Sequence, residues 1–125
     1  MKKLWNGTLA VALVSVSTLG NAQQATTPGY MIANYDIKNQ AVFEQYMDAA
    51  GPLAPKYGGK VIVFNVSANS VEGKSRSVMA VAEFPSLAQA QRFYNSPEYT
   101  RARALRTAST EGSVVITEGF VFPKQ

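Results

Sequence analysis

Apolar and polar positions change their period repeatedly along this chain, and each change marks an element. Tyr30–Asp36 (YMIANYD) has the aromatic and β-branched composition of a strand and stops at a polar Lys38-Asn39 turn. From Gln40 to Tyr57 the apolar spacing becomes three and four residues. Val42, Phe43, Tyr46, Met47 and Ala50 fall on one side, with Glu44, Gln45 and Asp48 on the other. That spacing predicts an amphipathic helix with Asn39 as its N-cap. Gly51-Pro52 and Pro55 interrupt the second half while Leu53, Ala54 and Tyr57 keep the spacing, so a kinked helix or two short ones are expected. Gly58-Gly59 ends it. Lys60–Ser67 (KVIVFNVS) is rich in β-branched residues and reads as the second strand. Residues 68–76 are a polar connection with some pairing expected around Val71-Glu72, and Ser77–Phe84 (SVMAVAEF) is the third strand.

Ser86 and Gln89 have the spacing of a capping box, with Leu87, Ala90, Phe93 and Tyr94 as the apolar stripe of a second helix. Asn95-Ser96-Pro97-Glu98 is a new start signal, with Ser as cap, Pro at the first helical position and an acid in the first turn. A third helix follows to about Ala108, Gly112 breaks it, and Ser113–Phe122 (SVVITEGFVF) is the last strand. The order β-α-β-β-α-β, with the second helix broken in two, predicts an α+β fold of the ferredoxin-like kind. Its four-stranded antiparallel sheet carries the helices on one face.

A sheet covered on one side should be polar on the other. Here neither set of alternate positions is. Strand two offers Ile62, Phe64 and Val66 against Val61, Val63 and Asn65. Strand three offers Val78, Ala80, Ala82 and Phe84 against Met79, Val81 and Glu83. Strand four offers Val114, Ile116, Glu118, Phe120 and Phe122 against Val115, Thr117, Gly119 and Val121. Both faces need cover, which predicts a homodimer paired sheet to sheet. Asn65, Glu83 and Thr117 would then be polar groups in an apolar chamber between the sheets, the general recipe for a small-molecule site. A buried Glu83 would have a raised pKa and could act as acid or base, whereas a Glu83 at a strand end would cap a turn or pair with an arginine.

The N-terminal segment adds a location. Met1-Lys2-Lys3, the apolar run Thr8–Leu19 and Gly20-Asn21-Ala22 have the three-part layout of a secretory signal peptide, predicting residues 1–22 as signal, 23–29 as a lead-in and 30–122 as the domain. The product is expected in the bacterial periplasm or outside the cell, with no stable membrane insertion after cleavage. Of 12 basic and 8 acidic residues, two lysines lie in that segment, so little net charge remains. With no basic stripe bearing interleaved aromatics, a nucleic-acid partner is not expected. The chain has no Cys and no His, which removes thiol nucleophiles, Ser–His hydrolysis, the usual zinc and copper sites and a His-ligated haem. Its acids stand singly, so no metal site is expected either.

Ala82-Glu-Phe-Pro-Ser86, followed by Phe93-Tyr-Asn-Ser-Pro-Glu-Tyr99, resembles the family called domain of unknown function 1330. The Tyr30 opening strand, Lys56-Tyr-Gly-Gly59, Glu72-Gly73 and the Leu105-Arg106 to Ser109 segment fit the same register. The signal peptide departs from it, since most members look cytoplasmic. The resemblance implies a dimeric α/β-barrel. Its wider superfamily includes cofactor-free monooxygenases, muconolactone isomerases, haem-binding enzymes and plain binding domains. The family motif falls on Glu83, Tyr94, Ser96, Pro97, Glu98, Tyr99, Arg106 and Ser109. A fixed Arg106 guanidinium near the sheet would hold a carboxylate, of a ligand or of Glu83. Two functions are therefore expected in competition. One is a cofactor-free binding domain holding a small, partly apolar molecule between the sheets, with Asn65, Tyr94, Tyr99, Ser109 and Thr117 as ligand contacts. The other is a cofactor-independent isomerase or monooxygenase for a small aromatic or lactone, with Glu83 and Arg106 catalytic.

Overall fold

The computed structural model describes residues 27–125; the expected signal segment and most of the lead-in lie outside them. Four strands form one antiparallel sheet: β1 (Gly29–Ile37), β2 (Lys60–Asn65), β3 (Val78–Phe84) and β4 (Thr110–Glu118), in the order β2-β3-β1-β4. Helices α1 (Gln40–Ala50), α2 (Leu87–Asn95) and α3 (Pro97–Ser109) connect them. This is the expected ferredoxin-like arrangement. Among the described residues no helix is long and apolar enough to cross a membrane.

The helix ends follow the sequence signals. Asn39 accepts the Val42 N–H (3.1 Å) and Ser86 accepts that of Gln89 (3.2 Å). Ser96 separates α2 from α3: its Oγ donates to the Phe93 carbonyl (2.8 Å) and accepts from the Tyr99 N–H (3.1 Å). The predicted interruption after α1 is a turn at Gly51-Pro52 and a short 3-10 helix over Ala54–Tyr57, closed by Gly58 in the left-handed conformation.

One layer of side chains lies between sheet and helices. Tyr35, Phe43, Val78, Phe84, Phe93 and Tyr99 are buried there, and their rings meet edge-on or tilted, with Phe93–Tyr99 centroids 4.3 Å apart. The other face of the sheet is open. Pairing aligns Val63, Val81, Ile32 and Val115 across its middle as an apolar row. One flanking row is Lys60, Glu83, Tyr30 and Thr117, and the other is Asn65, Met79, Asn34 and Ser113. Val63 and Val115 are 40% and 52% exposed, so that row is uncovered in the single chain.

Three sequence expectations are corrected. A bulge between Val61 and Val63 adds one residue to β2, so Val61 and Phe64 face the helices together rather than on opposite sides. The fourth strand is Thr110–Glu118 and not Ser113–Phe122: the third helix already ends at Ser109, Gly112 lies inside the strand, and Phe120 and Phe122 fall beyond its end. No pairing occurs at Val71-Glu72: residues 66–77 form an irregular connection, with Val71 88% exposed.

That connection is fastened at its return. Asn34 donates to the Arg76 and Val78 carbonyls (3.0 and 2.8 Å) and accepts the Arg76 N–H (3.0 Å). Asp36 accepts from the Arg76 guanidinium (2.8 Å) and from the Ser77 N–H (3.0 Å) and hydroxyl (3.1 Å). Arg76, and then Ser77, hold the Asp36 carboxyl well below its ordinary 3.8, at about 2. A depressed carboxyl stabilises the fold above its unfolded-state pKa and loses that contribution as pH falls toward the folded value. Asp36→Asn should therefore flatten the dependence of melting temperature on pH between about 4 and 2, relative to wild type. An unchanged pH profile in that window would remove Asp36 as its source.

Candidate functional site

On the helix side the strands meet at small residues. Ala33, Ala80 and Ala82 occupy neighbouring inward positions of β1 and β3, where a filled interface would carry branched side chains. Above them Gly51 and Ala54 keep the end of α1 and the following turn equally slim. The result is a cavity of about 320 Å³, its floor formed by those alanines with Met31 and Val114. Its walls are Tyr46, Met47, Phe93 and Tyr99, and Val61 and Phe64 on the edge strand form an exposed rim. The lining is almost wholly apolar, with polar groups at one end: Arg106 and the tyrosines 35, 46 and 99.

Those polar groups come from three elements. Tyr35 is on β1, Tyr46 on α1, and Tyr99 and Arg106 on α3, and all four are buried. The Tyr46 and Tyr99 hydroxyls are 3.0 Å apart, so one donates to the other. Two hydroxyl hydrogens and one bond between them leave one hydrogen free to donate. Burial pushes the Tyr46 phenol far up and that of Tyr35 up to about 12, with Arg106 opposing both shifts. Arg106 is 7% exposed, and its Nε is buried without a hydrogen-bond partner among the described residues. Burial disfavours its charge, but the neighbouring Tyr99, Tyr46 and Tyr35 more than offset that, and its pKa stays above the ordinary arginine value. No ion pair involves Arg106 among the described residues.

The residues singled out from sequence divide between the two faces. Tyr99 and Arg106 line the cavity. Tyr94 packs beside Tyr99 (5.8 Å) and carries Arg103 over its ring (4.3 Å), outside the lining. Ser109 is fully buried, and its hydroxyl donates to the Leu105 carbonyl (2.7 Å), closing α3. Glu83, Asn65 and Thr117 belong to the open face. Glu83 accepts from the Tyr30 hydroxyl (3.0 Å) and faces the Lys60 ammonium (3.7 Å), so it does not pair with Arg106. Thr117 shares its row, but Asn65 lies beyond the apolar middle row and accepts the Ser67 N–H (2.7 Å). The fold therefore does not gather these three into one site. Tyr35, Tyr46 and the alanine floor were not foreseen. Their signal is small residues at inward positions of paired strands, which needs the pairing to be read. Among the described residues no cluster of acids could hold a metal ion.

Comparison with known proteins agrees with this architecture. The family model described as domain of unknown function (DUF1330) matches residues 28–120. A protein of unknown function from Rhodopseudomonas palustris, RPA0582, is 19% identical with a TM-score of 0.63 over 80% of this chain and 88% of that one. A dimeric protein of unknown function and ferredoxin-like fold from Bacteroides fragilis is 17% identical, with a TM-score of 0.51 over 74% and 96%. SnoaB, a cofactor-independent oxygenase from Streptomyces nogalater, is 10% identical, with a TM-score of 0.56 over 80% and 97%. At these identities the likeness is one of fold. No curated protein matches the chain.

Proposed function

The chain belongs to the DUF1330 family, and from that premise we propose that it is an exported, homodimeric binding domain that holds a small, partly apolar molecule in the cavity between its sheet and helices. The cavity carries this reading. A space of about 320 Å³ with an apolar lining and a few convergent polar groups at one end is the form small-molecule sites take. Pairing of two open sheet faces is supported by the uncovered row of Ile32, Val63, Val81 and Val115, and by the dimeric Bacteroides fragilis protein of like fold. Export is supported by the sequence of residues 1–22.

The other reading is a cofactor-independent isomerase or monooxygenase in which Arg106 and the tyrosine hydroxyls polarise a substrate oxygen. Binding is favoured over it by the titratable groups on the cavity. Among the described residues these are tyrosines and Arg106, and burial keeps Tyr35 and Tyr46 protonated at neutral pH, so neither accepts a proton from substrate. Glu83 is on the opposite face of the sheet.

Ala80→Met tests the site by filling it. A metabolite panel should raise the melting temperature of the wild-type protein with at least one apolar member, and Ala80→Met should abolish that shift while folding normally. A shift that survives the filled cavity would place binding elsewhere. Sedimentation of the same wild-type sample should give twice the chain mass, and a single-chain mass would remove the homodimer.

A further inference from the structure

Among the described residues that line this cavity, Arg106 is the side chain whose chemistry the fold leaves unbalanced. A guanidinium is charged at any physiological pH and offers five N–H donors and no acceptor. Buried charges in proteins are normally paired, because an unpaired one loses its hydration with nothing to replace it. Arg106 is nine-tenths buried, its Nε has no partner, and no carboxylate among the described residues reaches it. The acid nearest to it in expectation, Glu83, is committed to Tyr30 and Lys60 on the other face of the sheet. The groups that surround the guanidinium are phenol hydroxyls and not carboxylates, and the Tyr46–Tyr99 pair adds one further free donor. The polar end of the cavity is therefore cationic and rich in donors. The remainder is hydrocarbon: the alanine floor, Met31, Met47, Phe93 and Val114.

From this we infer that the ligand is an organic acid, a monocarboxylate with a compact aromatic or aliphatic body, whose carboxylate binds Arg106 and the free tyrosine hydroxyl. The inference rests on the reading of the cavity as a binding site and adds the ligand's chemical class. A carboxylate supplies the acceptors that the guanidinium fork matches two at a time, and the counter-charge that the fold withholds. A dicarboxylate would bury its second charge against Phe93 and the alanines with nothing to meet it, so a single acidic group is selected. A neutral alcohol or aldehyde of the same body would fill the apolar end equally well but leave the guanidinium unpaired.

Titration by ¹⁹F NMR with three matched pairs separates the claims: 4-fluorobenzoate with 4-fluorobenzyl alcohol, 4-fluorophenylacetate with 2-(4-fluorophenyl)ethanol, and 6-fluorohexanoate with 6-fluorohexanol. In the wild-type protein at least one acid should bind ten-fold or more tighter than its alcohol. Arg106→Met should bring that pair to within about two-fold by weakening the acid alone. Arg106→Gln, which keeps polarity and length without charge, should do the same and serves where the Met variant does not fold. With the charge gone and nothing to unpair, Arg106→Met should also melt no lower than the ligand-free wild type. Equal affinities within every pair, or an acid preference untouched in both variants, would overturn the inference while leaving the cavity a binding site. Failure of all six probes to bind the wild-type protein would remove both.

Discussion

Replacing Phe93 with alanine is expected to destabilise the domain by about 3–5 kcal/mol, the range for deleting a fully buried aromatic ring. Phe93 is 2% exposed and sits where α2 meets everything else: its ring centroid is 4.3 Å from that of Tyr99, 5.1 Å from Phe84 and 5.9 Å from Tyr57. It therefore joins α3, the sheet and the turn after α1 at one point. The loss has little room to heal, because the cavity beside it is already lined by alanines that cannot move in to fill the gap. Against a total stability of about 5–15 kcal/mol for a domain of this size, the variant would be only marginally folded. Urea unfolding should show a much lower midpoint with an unchanged slope. Phe122→Ala is the control: that ring is 82% exposed, and its removal should stay within about 0.5 kcal/mol. A Phe93→Ala cost as small as that of the control would mean that the aromatic cluster is not what joins the helices to the sheet.

Gly112→Ala should cost about 3 kcal/mol, the upper end of what overpacking does. Gly112 lies opposite Tyr35 in the β1–β4 ladder, and a Cβ there would overlap the Asn34 carbonyl oxygen and the Tyr35 Cα, both backbone atoms of the neighbouring strand. Backbone cannot rotate aside, so the two strands would have to part next to Tyr35 and the polar end of the cavity. Gly59 offers the contrast, since the nearest atoms a Cβ there would meet belong to the side chain of Phe84 and not to backbone. Thermal unfolding should rank the two with Gly112→Ala the more damaging, and amide exchange at Asn34–Asp36 should accelerate in that variant alone. The reverse ranking would show that the β1–β4 contact tolerates separation.

The parts of this molecule that sequence discloses are those written locally. Asn39, Ser86 and Ser96 cap the helices they were expected to cap, because capping needs only a side chain and an N–H three residues on. The split of the second helix and the element order follow from Pro97 and from changes of period in the same way. What stayed hidden depends on contacts between distant segments. Gly112 reads as a break because a glycine's usual role is a turn, yet its lack of a side chain serves the approach of β1. The added residue in β2 leaves no trace in an apolar run whose two faces look alike. The Tyr46–Tyr99 pair spans 53 positions, and the emptiness beneath it comes from alanines on two strands that only pairing brings together. Arg106 was singled out through family resemblance alone; that it has no counter-charge among the described residues emerges only from the folded chain.

The irregularity at Ile62 lets β2 absorb one surplus residue without losing its phase against β3. With one residue more than its partner requires, the strand turns Val61 and Phe64 toward the same compartment. Deleting Ile62 would restore strict alternation and leave Val61 opposite Ala82 and Phe64 opposite Ala80, so the phenyl ring stays at the rim of the ligand chamber. The partner positions on β3, more than the number of residues between them, decide which bulky groups guard the entrance. Loss of a single codon would thus straighten the edge strand while leaving the chamber's rim, floor, tyrosines and Arg106 unaltered.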